Sequence, residues 1–106
     1  MTDLKEIARE MVLKARMAPY IELAEQALRR GQYGKVGVNL KQIKAVALIG
    51  KRGENDSWDN IYKVCRAGTI SLELFRAKKI DEDHLHSRLR NSLDLVKKYF
   101  NGFLAL

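Results

Sequence analysis

The stretch "IYKVCRAGTISLELF", Ile61–Phe75, decides the fold. Ile61, Cys65, Gly68, Leu72 and Phe75 recur at intervals of four, three, four and three. That is the repeat of an α-helix with one narrow apolar edge turned to a neighbouring helix. Gly68 lies in the edge itself, where a missing side chain permits close approach of another backbone. It also makes "AGTI" the weakest turn of the helix and a candidate kink, since glycine costs roughly 1 kcal/mol of helix propensity relative to alanine. N-terminal to the stripe, Ser57 predicts the cap, with Asp59 in the first turn beside the positive end of the helix dipole.

Working outward, the same periodicity covers nearly the whole chain. Ile80 and Asp81 open a following helix whose face carries Leu85, Leu89, Leu93, Val96, Phe100 and Phe103. The "DED" at Asp81–Asp83 reads as capping and dipole residues. On the other side, "GKRGENDS" closes a preceding helix that the pair Asn39 and Gln42, with the spacing of a capping box, starts at Leu40. Before it, "GQYGKVGV" holds three glycines and reads as a loop, or as a short strand around Val36 and Val38. The first helix is capped by Thr2, with Asp3 and Glu6 in its first turn, and shows Leu4, Ile7, Met11 and Ala15 on its apolar face. Pro19 breaks or kinks it, because proline offers no N–H and crowds the preceding turn. Ile21, Ala24 and Leu28 resume the stripe, and Gly31 ends it. The expected fold is all-α: a single domain over residues 1–106, an antiparallel four-helix bundle with the first helix broken near Pro19.

Composition agrees with one globular domain. Apolar residues make up 46% and charged residues 31% of the 106, with one proline and no low-complexity tract. The single cysteine excludes an internal disulfide and suits a reducing, cytoplasmic compartment. "AVALI" is the longest apolar run, far below a membrane span, and the N-terminus lacks a signal-peptide layout.

Charge is distributed unevenly. From Arg29 to Gly53 the chain carries seven lysines and arginines and no aspartate or glutamate. Since the totals are 20 basic and 13 acidic residues, the rest of the chain balances at 13 against 13, and this window holds the whole formal charge of +7. Along the helix from Leu40, the cations Lys41, Lys44, Lys51 and Arg52 fall within an arc of about 100°, interrupted by Leu48. Leu40, Ile43, Val46 and Ala47 lie opposite. Arg29, Arg30 and Lys35 flank the glycine-rich stretch and extend the patch, and Tyr33 within it is a candidate platform for an unpaired base. With a pI near 9.7, these eight residues predict contact with the phosphate backbone of RNA or single-stranded DNA. The alternative is a helical adaptor whose basic face docks on an acidic protein.

No constellation for catalysis, a cofactor or a metal stands out. His84 and His86 are two apart, on opposed sides of a helix, and Cys65 has no second thiol. The loop "GQYGKVG" lacks the Lys-Ser/Thr ending of a phosphate-binding loop. Cys65, Trp58 and Phe75 read as core. The expectation is a non-enzyme without cofactor or small-molecule substrate. "LKQIKAVALIG" followed by "WDNIYKVCRAG" is similar to a helix-turn-helix, with Lys63 and Arg66 on the second helix. However, "KRGENDS" is longer than that motif's turn, and Glu54, Asp56 and Asp59 stand where DNA phosphates would lie.

The stretches "YIELAEQAL", "VNLKQIKAV" and "SLDLVKKYFNGFLAL" resemble pieces of the small helical subunit of type III CRISPR effector complexes, with Lys44 where that family tends to carry an arginine. The resemblance implies a non-catalytic subunit stacking along a guide–target RNA duplex, with backbone contact at Lys41 and Lys44. Other protein subunits or a homo-oligomer are expected partners, through the apolar tail and the Gly68 stripe.

Overall fold

The computed structural model describes residues 4–53 and 55–102. These form four α-helices: α1 (Leu4–Arg29), α2 (Tyr33–Gly50), α3 (Asp56–Arg76) and α4 (Glu82–Gly102). Each packs antiparallel on the next, and α4 closes the ring on α1 over a shorter stretch. The result is a rod of 48 × 21 × 19 Å. Thr2, Asp3, Glu54, Phe103 and the rest of the apolar tail fall outside the described residues.

The stripe on α3 is the spine of the core. Ile61, Cys65 and Gly68 are fully or almost fully buried, Leu72 nearly so, and Phe75 packs at the margin. On α4, Leu85, Leu89, Leu93 and Val96 are buried as the spacing predicts, and Phe100 packs against the core. Asp81 caps α4: its Oδ1 accepts the His84 N–H at 2.8 Å. A Cβ at Gly68 would stand 2.9 Å from Leu40 Cδ1 and 3.7 Å from Ser92 Cβ, so this position lies where α2, α3 and α4 converge. The helix runs on through "AGTI" without interruption.

Four expectations change. First, α1 does not break at Pro19 but continues through it to Arg29. Pro19 sits on the solvent side, as does Ala15, whose carbonyl loses its helical donor there and can turn to water. Second, the core face of α1 is Leu13, Met17, Ile21, Ala24 and Leu28. Ile21, Ala24 and Leu28 are as expected, but Leu4, Met11 and Ala15 are exposed and Ile7 is half-buried.

Third, "GQYGKVGV" is neither loop nor strand. Only Arg30–Gln32 turn the chain, and α2 starts at Tyr33, seven residues before Leu40. Asn39 is therefore no cap: mid-helix, its Nδ2 donates to the Lys35 carbonyl at 2.9 Å. Gly37 is buried against Leu72, so this glycine serves helix packing rather than a turn. Fourth, the cap of α3 is Asn55, whose side chain accepts the Ser57 N–H at 3.0 Å.

The α2–α3 connection is fastened to α1. Glu10 accepts from Trp58 Nε1 and from Asn55 Nδ2, both at 3.2 Å. Arg9 donates to the Ile49 carbonyl at 2.6 Å. Trp58 is wholly buried. Among the described residues no buried side-chain nitrogen or oxygen lacks a partner.

Candidate nucleic-acid interface

The cations of the basic window separate once the helices are in place. Lys41 is exposed and lines a shallow groove of about 80 Å³ between α2 and α3, together with Gly34, Gly37, Val38, Thr69, Leu72, Glu73 and Arg76. Lys44, one turn on, is half-buried beside Cys65. α2 persists to Gly50, and Lys51 keeps helical backbone angles, so Lys51 and Arg52 follow on the same edge. Leu48 lies among them, 47% exposed.

Lys51 is engaged within the fold. Its Nζ stands 3.3 Å from Asp59 Oδ1 and 4.4 Å above the Tyr62 ring. Asp59 also takes Lys63 at 2.9 Å. The hydrogen bond from Lys63, then that from Lys51, holds the Asp59 carboxyl below the usual carboxylate range.

The remaining window residues point elsewhere. Lys35 is exposed, but six residues from Lys41 it sits roughly 120° around α2, on the flank toward α1. Arg29 lines a small cleft with Glu25, Leu28, Arg90, Leu93 and Asp94, between α1 and α4. Arg30 is exposed in the turn. Tyr33 opens α2 half-buried, edge-on to Phe75 and His86 at centroid distances of 6.0 and 6.2 Å, with its hydroxyl 3.4 Å from His86 Nδ1. Burial, then the carboxylates of Glu82 and Asp83, raise that hydroxyl above the ordinary tyrosine value. The ring is packed into the helix junction, partly buried against the core. His86 is likewise half-buried.

α3 supplies what the window lacks. Shifting its apolar stripe by one residue gives Tyr62, Arg66, Thr69, Glu73 and Arg76, at the same four, three, four, three spacing. Thr69, Glu73 and Arg76 line the groove and Tyr62 lies under Lys51, so Arg66, between Tyr62 and Thr69, shares that edge. Lys41 and Arg76 thus line the groove, helical spacing sets Lys44 and Arg66 further along the same α2–α3 face, and Arg52 follows beyond the end of α2. None of these five takes part in an ion pair between described residues. Glu73 is the one carboxylate among the groove-lining residues. Both lie outside the acid-free window, Arg66 marked in the sequence only by the helix-turn-helix likeness and Arg76 by no motif. The shifted spacing was the signal that would have found both.

Elsewhere among the described residues, no three His, Cys, Asp or Glu side chains come together in a way that could hold a metal ion. No described helix is long and apolar enough to cross a membrane. Comparison with protein-family models, with curated proteins and with solved structures finds no match to this chain.

Proposed function

We propose that this chain is a non-catalytic binding protein whose α2–α3 face holds the phosphate backbone of RNA or single-stranded DNA, as one subunit of a larger nucleoprotein assembly. The observation that carries the reading is the run of cations along the α2–α3 face, Lys41 and Arg76 in the groove with Lys44, Arg66 and Arg52 beyond it, none of them ion-paired with another described residue. Lysines and arginines left unpaired on one edge are free to replace condensed counterions on a phosphate chain. Such contacts fix position and carry no base information. The resemblance to the small CRISPR subunit points to the same class of ligand.

Groove insertion of the helix-turn-helix kind is disfavoured by the packing. α3 lies antiparallel along α2, from the Gly50–Trp58 contact at one end to the Gly37–Leu72 contact at the other. Asp59, at the N-terminal end of α3, would meet phosphate first. A second reading, docking on an acidic protein, is favoured by one observation: Val38 and Leu48 stand 60% and 47% exposed on the basic face. An amphipathic acidic segment would cover them, and a phosphate chain would not.

The deciding experiment is binding of a labelled single-stranded RNA across a salt series. Five phosphate contacts give a log–log slope of roughly −3.5, about a hundredfold loss of affinity from 50 to 200 mM salt. Lys41→Ala/Arg66→Ala lowers the slope to roughly −2. Absence of binding at 50 mM salt, or an unchanged slope in the double variant, rejects the phosphate-binding face and leaves the acidic-protein reading.

A further inference from the structure

The outer side of α1 carries a second apolar stripe that the bundle does not use. Leu4, Ala8, Met11, Ala15 and Ala18 recur at four, three, four and three. All five are exposed, Leu4 by 81% and Met11 by 58%, and Val12 beside them is also 58% exposed. The buried residues of the same helix, Leu13, Met17, Ile21, Ala24 and Leu28, lie on the opposite side. A 3.5-residue repeat is the pattern of a helix that pairs with another along a straight seam. In α1 that repeat belongs to the solvent side.

The Gly68 stripe, expected from the sequence to serve assembly, is consumed inside the bundle. Among the described residues, the α1 seam is the apolar stripe left exposed. We propose that it receives a second copy of this chain, α1 against α1 in an antiparallel two-fold arrangement.

The seam is complementary to itself when reversed. A two-fold axis beside residue 13 sets Met11 against Ala15 of the other copy and Ala8 against Ala18, so large meets small in the centre and small residues let the helices approach. The outermost layer sets Leu4 against the aliphatic stem of Glu22. A parallel arrangement instead stacks Met11 on Met11 and Lys5 on Lys5. Local charge also permits it. From Leu4 to Glu22 the helix holds four basic and three acidic residues, so pairing here avoids the strongly basic window. Because the seam faces away from the core of α1, both α2–α3 grooves remain open in the pair. The inference stands independently of what those grooves bind.

One seam of this length lies at the small end of specific interfaces, below about 1,200 Å². Association is therefore sought at high concentration, by sedimentation equilibrium of the full chain from about 10 to 500 µM. The expected result is a rise from 12.2 kDa toward twice that mass, abolished by Met11→Glu while the helical circular dichroism is unchanged. Orientation is read by disulfide exchange between Met11→Cys and Ala15→Cys chains. The antiparallel seam yields the mixed 11–15 dimer in preference to either like pair, with the buried Cys65 outside the exchange. A monomer throughout the range, a dimer that survives Met11→Glu, or a preference for the 11–11 pair overturns the proposal.

Discussion

Gly31 and Lys78 hold the same left-handed turn at the same end of the bundle. Each follows a helix, with φ of 68° and 59°, and each is closed by the same pair of backbone hydrogen bonds. Gly31 N–H donates to the Leu28 carbonyl and Gln32 N–H to Ala27, at 3.1 and 2.9 Å. Lys78 N–H donates to Phe75 and Lys79 N–H to Leu74, at 3.0 and 2.9 Å. Glycine takes this conformation without penalty, whereas a side chain there costs about 1 kcal/mol. Lys78→Gly should therefore stabilise the protein by about that amount, a rise in Tm of roughly 4 °C. A fall in Tm would show that the lysine side chain contributes something its backbone strain conceals.

Glycines of α2 should respond in opposite directions. A methyl at Gly50 would lie 2.8 Å from Trp58 Cε2 and closer still to its neighbouring ring atoms, whereas one at Gly34 meets nothing within 4 Å. Gly50→Ala should cost about 1–3 kcal/mol through overpacking, outweighing the gain in helix propensity. Gly34→Ala should gain about 0.5–1 kcal/mol. Urea unfolding followed by the fluorescence of Trp58, the one tryptophan, measures both.

Alkaline pH should weaken the fold through Cys65. Burial pushes its thiol up to about 12 from an ordinary value of 9.0, with Lys44 exerting a smaller opposite pull. Above pH 9 the unfolded chain loses this proton and the folded chain keeps it. The unfolded state then binds fewer protons, and stability falls with rising pH by about 1.4 kcal/mol per unit until the folded value is reached. Cys65→Ala should be the less stable protein at pH 8, but its deficit should shrink by about 2 kcal/mol by pH 10.5. An unchanged deficit would mean that the native thiol ionises normally.

Two exposed lysines of one helix should separate in a binding assay. Lys41 lies in the α2–α3 groove and Lys35 on the flank toward α1. Lys41→Ala should reduce the RNA salt slope by roughly 0.7, and Lys35→Ala should leave it unchanged. Equal effects would mean that the basic window acts as a diffuse cloud rather than a groove.

The stripes of α3 and α4 were legible because their residues keep strict spacing and those among the described residues lie in or against the core. α1 misled because it carries two apolar stripes, and spacing alone does not say which one meets the bundle: Leu4 and Met11 fit a core as well as Leu13 and Met17 do. Pro19 and the glycines of α2 misled for a common reason. Each disfavours a helix locally, yet exposure of Pro19 and burial of Gly37 against Leu72 let tertiary packing override the local preference. For the candidate site, the excess of positive charge was plain in sequence. Its division between flanks was not, since that depends on which neighbours α2 has, and Arg66 and Arg76 enter only through α3.

Helix α2 has one further property. It contains Gly34, Gly37 and Gly50, together with the β-branched Val36, Val38, Ile43, Val46 and Ile49, a composition that sustains little helix by itself in water. Its shape is lent by α1 and α3. The row formed by Lys41 and Lys44 consequently exists only while the interior is closed, and the amides of its first turns are the ones hydrogen exchange should release earliest. Any anion that grips Lys41 and Arg66 together also clamps α2 to α3, so occupancy of the groove would slow that exchange and make the ligand a fastener of the fold that recognises it.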